Sequence, residues 1–518
     1  MSEPEPVVLA IDVGTTNAKA GLVDLRGRLV ASARATYALD VEPHAGRAEQ
    51  DPEDWWRATV EAVRSLRAVE PRREIHAICV AGHGPSLAAL DAEGRPTHPA
   101  ITWLDTRAAT EQAELGAATG LRGWALGVLP AALWLERNAP AAAARARWYL
   151  NTWEAVAFRL TDRAATSVVP SQPFPDTAAL RATGPDPGRV APTIAAGTVL
   201  EGLSGTAAAE LGLAPGTPVV AGVVDAFASF HGAGLVGAGD AIDAGGTAGG
   251  FGVYVDRPVG AAGSFCTPAP LPGLYIVGGA MAATGKALDW LRDDILGSGR
   301  TTEELVAEAA TVAPGADGLV FLPYLAGERS PLWDPQATGA FAGLTLSHGR
   351  AHMTRAILEA AALAIRHVAE PILAAGVDVR EMRVCGGPAR SAVWNRIKAD
   401  VTGFPVAVPT VPETTVVGTA ILAATGIGAF ADVPAAIAAM TSIDHRLVPA
   451  PAAAHIYDAR YDEYVRLHPA IASVLEGRGT REYGVADQPA AEVAADQPAA
   501  DQPSAASAAE LAAIARRC

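Results

Sequence analysis

Apolar residues open the chain in a block. Val7, Val8, Leu9, Ala10 and Ile11 run together up to Asp12, and the turn Gly14-Thr15-Thr16 separates them from a second run, Ala18 to Val23. Such a run bounded by a Gly/Thr turn predicts a buried strand, a tight turn and a second strand. After Arg26-Gly27-Arg28, the stretch Leu29 to Ala33 alternates with period two. The three together predict an antiparallel meander from Val7 to Tyr37. Asp51-Pro52-Glu53-Asp54 then predicts a helix start, with Asp51 as cap and Pro52 in the first position. Trp55, Trp56, Val60, Val63 and Leu66 fall on its core face. Ile75 to Ala81 reads as another buried strand, with Leu87 to Leu90 pairing with it or nearby.

The same grammar returns later. Val219 to Val224 is an apolar run ending in Asp225. Ala241 to Ala244 leads into Gly245-Gly246-Thr247-Ala248-Gly249-Gly250. Phe341 to Leu344 precedes a long helical pattern over about His352 to Ala375, and Arg383 to Cys385 ends in Gly386-Gly387-Pro388. A strand-to-glycine-turn unit that recurs at least four times predicts an α/β fold. Its expected form is two related domains, each a mixed sheet flanked by helices, with a cleft between them. The expected division is 1–250 and 251–480, with a hinge near 250–260. From about Gly484 the chain repeats Ala-Asp-Gln-Pro and turns Ala/Pro-rich, so 484–518 is expected to be a disordered tail, with a short helix over Ala509 to Arg517.

Length and charge narrow the function. At 518 residues, half of them apolar, the chain is long enough for two large domains. A net charge of −16 and a pI near 5.2 argue against nucleic acid or an anionic membrane as partner. A phosphorylated ligand in a locally positive pocket stays open. No run approaches the ~20 apolar residues of a membrane span. The start, Met1 to Pro6, has no apolar leader core. Cys79, Cys266, Cys385 and Cys518 form no C-x-x-C pair, so neither a zinc site nor a disulfide framework is expected. The three interior cysteines read as buried small hydrophobes, which fits a reducing cytoplasm.

The candidate chemistry sits at the strand ends. In Asp12-Val13-Gly14-Thr15-Thr16-Asn17-Ala18-Lys19, a strand-end carboxylate suits a hydrated Mg²⁺, and the turn offers N–H groups and hydroxyls to an anion. A bland strand–turn–strand has the same letters. Asp225 is a carboxylate at the end of an apolar strand, costly there unless used or capped; it reads either as a reacting group or as the cap of the helix that follows.

Three further segments carry a resemblance. Gly339-Ala340-Phe341-Ala342-Gly343-Leu344 is followed seven residues later by His352-Met353-Thr354-Arg355-Ala356 and Glu359. Cys385-Gly386-Gly387-Pro388-Ala389-Arg390-Ser391 precedes a helix with Trp394 and Asn395, and Glu413 to Ala420 includes Gly418. With the Asp12 motif, these resemble the FGGY family of carbohydrate kinases, within the actin-like ATPase superfamily, from about Val7 to His468. The resemblance implies two actin-like (ribonuclease H-like) domains closing on ATP, Mg²⁺ and a small sugar or polyol. It implies that Asp225 is the general base taking the proton of the sugar hydroxyl, and that Asp12 holds Mg²⁺ through water. Gly14, Thr15, Thr16, Asn17 and Lys19 correspond to the first phosphate motif, Gly246 and Thr247 to the second, and Gly386 and Gly387 to the adenosine-side loop. Asn395 is an adenine or ribose contact or simply a helix-surface residue. Gly418 reads as a close helix-packing position.

The sugar side is less regular. Trp103-Leu104-Asp105-Thr106-Arg107 resembles a substrate-lining stretch, with Trp103 facing sugar C–H groups and Asp105 accepting two hydroxyls; the alternatives are a core tryptophan and a surface ion pair. Gly82-His83-Gly84-Pro85-Ser86 departs from the Gly-Gln-Met-His-Gly of xylulokinases and lacks the Arg-Glu of glycerol kinases. His83 is either a hydroxyl partner or a structural histidine. Ala131 stands where a lysine is usual, and Thr166 to Pro170 is altered from an acidic-polar stretch. These departures disfavour glycerol and imply a specialised substrate, with a ketopentose such as D-xylulose first and a tetritol, a deoxy-ketose or a signalling polyol open. The family allows several oligomeric states, a homodimer among them. An assembly-type ATPase would share the phosphate turns without needing Asp225 or the Trp103–Arg107 stretch. A silent sugar-binding regulator would be expected to have lost Asp12, Asp225 or the turns.

Overall fold

The computed structural model describes residues 6–475 except 43, 44, 72, 122, 170–180, 182, 247 and 298. Thr247, Pro170, Cys518 and the whole tail therefore lie outside the described residues.

The expected meander forms the first sheet. β1 (Val7–Val13), β2 (Asn17–Asp24) and β3 (Leu29–Thr36) pair antiparallel. The other edge of β1 pairs in parallel with β4 (Ile75–Gly82). β4 pairs in parallel with β6 (Pro218–Val220), and β5 (Val199–Gly202) closes the edge antiparallel to β6. β1 is buried along nearly its whole length because a sheet covered on both faces admits apolar residues at consecutive positions.

The second sheet repeats this plan. β7 (Asp240–Asp243) is antiparallel to β8 (Gly249–Val255), which continues through β10 (Tyr275–Met281) to β9 (Phe265–Pro268). The other edge of β7 is parallel to β11 (Glu381–Val384), then β12 (Val406–Pro409), with β13 (Ile443–Leu447) antiparallel at the end. Each half thus has its first strand at the centre, antiparallel neighbours on one side and parallel ones on the other. The structure is α/β with two mixed sheets, as the recurrence predicts.

Seven helices matter to the site: α1 (Pro52–Val69), α2 (Thr152–Thr161), α3 (Asp225–Gly232), α4 (Arg350–Ala374), α5 (Ala392–Thr402), α6 (Thr414–Gly426) and α7 (Pro451–Leu475). Asp51 caps α1 by accepting from the Glu53 N–H at 2.9 Å. α4 begins where the long C-terminal pattern predicts, within two residues.

The partition along the chain differs from the expected one in two places. The second sheet begins at Asp240, ahead of residue 250, because Asp240–Asp243 is its central strand. α6 comes late in the sequence yet packs on β1 and β4 of the first sheet and crosses α3. It is buried nearly all round, which only a site enclosed on every side permits. The crossing is made by glycines: a Cβ on Gly418 would stand 1.7 Å from the Ala228 carbonyl oxygen, and one on Gly232 1.8 Å from that of Thr414. Two smaller expectations also shift. Ala88–Leu90 pairs with Trp148–Leu150 outside the main sheet. Cys266 is exposed on an edge strand, whereas Cys79 and Cys385 are buried.

Candidate functional site

Both central strands carry an acid at or next to their last residue, with a glycine turn after it, and a cleft of about 750 Å³ lies against the turn of the second sheet and the Lys19 strand of the first. It is lined by Lys19 of β2, by Asp225 and Ser229 of α3, by Gly245 after β7 and by Gly386 and Gly387 after β11.

Asp225 reaches the cleft through the backbone beyond β6. The Gly82 N–H donates to the Val223 carbonyl at 3.3 Å, so this segment runs beside the end of β4 and delivers Asp225 as the first residue of α3. An acid there complements the helix dipole. Its Oδ1 accepts from the Ala226 N–H at 2.7 Å. Burial, with the charge of Asp12 beside it, pushes the Asp225 carboxyl up to about 7. Asp12 is itself pushed up to about 6 by burial, against the pull of Lys19. Its Oδ1 is buried with no hydrogen-bond partner. Two neighbouring carboxylates, one with an orphaned oxygen, fit a hydrated divalent cation, which would relieve both desolvation and mutual repulsion. Asp12 would hold it through water.

The first turn is held from outside. The Gly14 N–H donates to the Asn17 carbonyl at 2.9 Å, closing the hairpin, so that N–H is already used. The Tyr37 hydroxyl donates to the Gly14 carbonyl, and Gln50 Nε2 donates to the Thr15 carbonyl at 2.7 Å. Asn17 Nδ2 donates to Thr16 Oγ1 at 3.3 Å. Thr16 is exposed and Lys19 lines the cleft. The second and third turns touch: Gly386 has φ +69°, and a Cβ there would come within 2.6 Å of the Gly245 carbonyl oxygen. Gly246 is exposed beside them. Behind this contact Lys398 of α5 forms a buried ion pair with Asp243, the last residue of β7. The sequence gives little sign of this pair: Lys398 falls on a helix face that is apolar apart from Asn395.

The remaining candidates are placed differently. Asn395 is buried and donates from Nδ2 to the Ala389 carbonyl at 2.7 Å, so it braces the glycine turn from behind. His83 is buried at the edge of the Trp55 ring, its Nδ1 2.9 Å from Ser86 Oγ, and burial drives it down to about 3, hence neutral. Trp103 is 37 % exposed; its indole N–H donates to Thr15 Oγ1 at 3.2 Å, and its backbone N–H to Ser86 Oγ at 3.1 Å. Asp105 is enclosed: Oδ2 accepts from the Ala48 N–H at 2.9 Å and from Arg107 Nη2 at 2.7 Å, and Oδ1 accepts from the Arg107 N–H at 3.0 Å. Arg107 also reaches Glu49. Asp105 thus shapes its own segment and has no oxygen left for two sugar hydroxyls. Neither Trp103 nor Asp105 lines the second cavity near Asp225. That cavity, of about 100 Å³, meets Val223, Val224 and Phe227 on one side and Asn151, Trp153, Glu154 and Ser167 on the other.

Two repeated mixed sheets with acid-glycine turns around one cleft define a phosphotransferase of the actin-like ATPase fold. The chain belongs to the FGGY family of carbohydrate kinases: the family's N-terminal domain matches residues 7–232 and its C-terminal domain residues 244–427. It is 31% identical over 418 residues to a xylulose kinase of Escherichia coli, covering 76% of this chain and 84% of that one. It is 29% identical over 445 residues to a gluconokinase of Bacillus subtilis, covering 80% and 86%. A solved xylulose kinase from Rhodospirillum rubrum superposes with a TM-score of 0.74 at 32% identity, over 90% of this chain and 99% of the other. The protein is therefore an ATP-dependent sugar kinase. Among the described residues no helix is long and apolar enough to cross a membrane.

Proposed function

We propose that this kinase transfers the γ-phosphate of ATP to a terminal hydroxyl of a small ketose or polyol, with a ketopentose of the D-xylulose type as the first candidate. Asp225 is the general base. Its raised proton affinity near neutral pH suits a group that must accept a proton from an alcohol and hold it. Val223 and Val224 fix it on the backbone beside β4, so its position depends on the first sheet rather than on a loose loop. Asp12 would hold Mg²⁺ through water, and the metal would supply neutralisation of phosphate charge. Lys19 presents a cation to the same cleft. The turns at Gly14–Thr16 and Gly245–Gly246 bring backbone close to the phosphates, and Gly386 and Gly387 let the nucleoside lie against the chain. The two sheets act as separate halves, and their closure excludes water, which would otherwise take the phosphate. The cytoplasm is the compartment, and a homodimer is compatible with this reading.

The observation that carries the proposal is Asp225: a half-buried carboxylate satisfied by a single N–H, set beside an orphaned Asp12 oxygen, on a cleft lined by the glycine turns of the second sheet. The test is ADP release by the purified protein with ATP and Mg²⁺ across ketoses, aldoses, polyols, gluconate and glycerol. Saturable release with one sugar is the expected result. Release that ignores the sugar would instead mark an assembly-type ATPase.

A further inference from the structure

The register of the first sheet sets three charged residues in one row. Asp12 of β1 pairs directly with Lys19 of β2, and Lys19 pairs directly with Arg34 of β3. Directly opposed residues project from the same face of a sheet, so the row reads acid, base, base across three strands. With neighbouring strands ~4.8 Å apart, it spans about 10 Å. The alternate positions Ala18, Ala20 and Ala35 are buried, and α1 packs on both β2 and β3. Lys19 and Arg34 instead line the cleft of about 750 Å³. Arg34 is exposed there, and among the described residues no carboxylate pairs with it. Glu413, an acid on the same cleft, is taken by Arg390. Two cations set directly opposite each other repel, which costs stability in the bare sheet. A polyanion laid along the row removes that cost.

We propose that Arg34 is a nucleotide-binding residue whose guanidinium holds the phosphates that ADP shares with ATP, on the far side of Lys19 from Asp12. The inference rests on the kinase reading with Asp225 as base, which fixes the end of the row where phosphate is transferred. Asp225 feels the charge of Asp12 beside it, so the γ-phosphate belongs at the Asp12 end. Arg34 stands two strands away and meets the phosphates that stay on the nucleotide. A guanidinium suits that task. Its planar fork matches two phosphate oxygens at once, and it stays charged at every working pH.

The test is titration calorimetry with ADP and with ATP on the native protein and on Arg34→Gln, which reads the contact without turnover. Both affinities should fall roughly 5- to 30-fold, the loss expected of a charge-assisted contact at a part-open site. KM for ATP should rise by a similar factor while kcat changes less than about twofold. Arg34→Lys keeps the charge, loses the fork and should fall between the two. Thermal unfolding of the nucleotide-free variant separates binding from a structural role: relief of the repulsion with Lys19 should leave its Tm equal or higher. Unchanged ADP affinity overturns the proposal, as does a lowered Tm without nucleotide. A loss confined to ATP also overturns it, since that contact would lie on the γ-phosphate. Lys19→Met is the control. If it weakens ADP where Arg34→Gln does not, the Arg34 inference falls alone. If neither variant weakens ADP, the phosphate reading of this sheet face falls with it.

Discussion

The first and second sheets build the same device and finish it in opposite ways. In each, the central strand carries an aspartate at or next to its last residue, ahead of a glycine turn: Asp12 before Gly14, and Asp243 before Gly245 and Gly246. Asp243 is neutralised by Lys398, and both members of that pair are almost wholly buried. Asp12 has no such partner; Lys19 acts on it only at a distance, and its Oδ1 is left without a hydrogen bond. The duplicated frame builds an acid-glycine turn in each half, and the halves differ in whether the acid is neutralised from within the chain. A buried carboxylate with a built-in counter-charge is structural. One without is a demand for a ligand.

The largest expected effect falls on the group that acts beside the unpaired acid. Asp225→Ala should lower kcat by roughly 10²- to 10⁴-fold, the usual contribution of a general base, with ATP affinity nearly intact. A coupled ADP-release assay and titration calorimetry measure the two quantities. In the native protein kcat/KM should rise with pH toward a plateau above about 7, as the carboxylate loses its proton. A variant with native turnover would remove Asp225 from the mechanism.

The paired acid should respond through stability instead. Lys398→Met leaves Asp243 buried without its counter-charge and should cost about 3–5 kcal/mol in denaturant unfolding. Adding Asp243→Asn to Lys398→Met should recover most of that loss, because removing both charges of a buried pair is close to neutral. No recovery would mean that Lys398 supports the β7 turn by something other than charge.

The smallest effect tests the asymmetry by its sign. The Asp12 carboxyl is raised above its unfolded value of 3.8 to about 6, so its favourable contribution is complete below about pH 4 and is lost as pH rises through about 6. In the presence of EDTA, Asp12→Asn should therefore raise Tm at pH 8, by roughly 1 °C per kcal/mol recovered in a chain of this length, and leave it nearly unchanged at pH 4. Asp243→Asn alone should lower Tm at pH 8, since it strands Lys398. The same sign for both variants would erase the distinction between the halves.

Legibility followed the range of the interactions involved. The β1–β2 hairpin, the cap of α1 and the placement of Asp225 at a strand-to-helix junction depend on neighbours within a few residues, so periodicity and turn chemistry reveal them. Asp105 illustrates the other case. Its stretch marks it as a sugar acceptor, yet its oxygens are taken by Arg107 and by the Ala48 N–H, a partner remote in sequence. His83 is positioned by Trp55 and Ser86, with its Nε2 left without a partner. Gly418 is readable as a packing glycine, but not that its helix belongs to the first sheet, because that depends on the Gly232 face of α3 across the fold.

What the sequence determined by itself is the α/β plan and the repeated acid-glycine turns, because strand burial and tight turns are written in local spacing; the kinase class came from the resemblance of its motifs to the FGGY family. The tertiary structure decided which aspartate is paired and where the chain divides between the sheets. Those outcomes depend on desolvation and on counter-charges supplied from distant segments, and neither can be summed until the chain has folded.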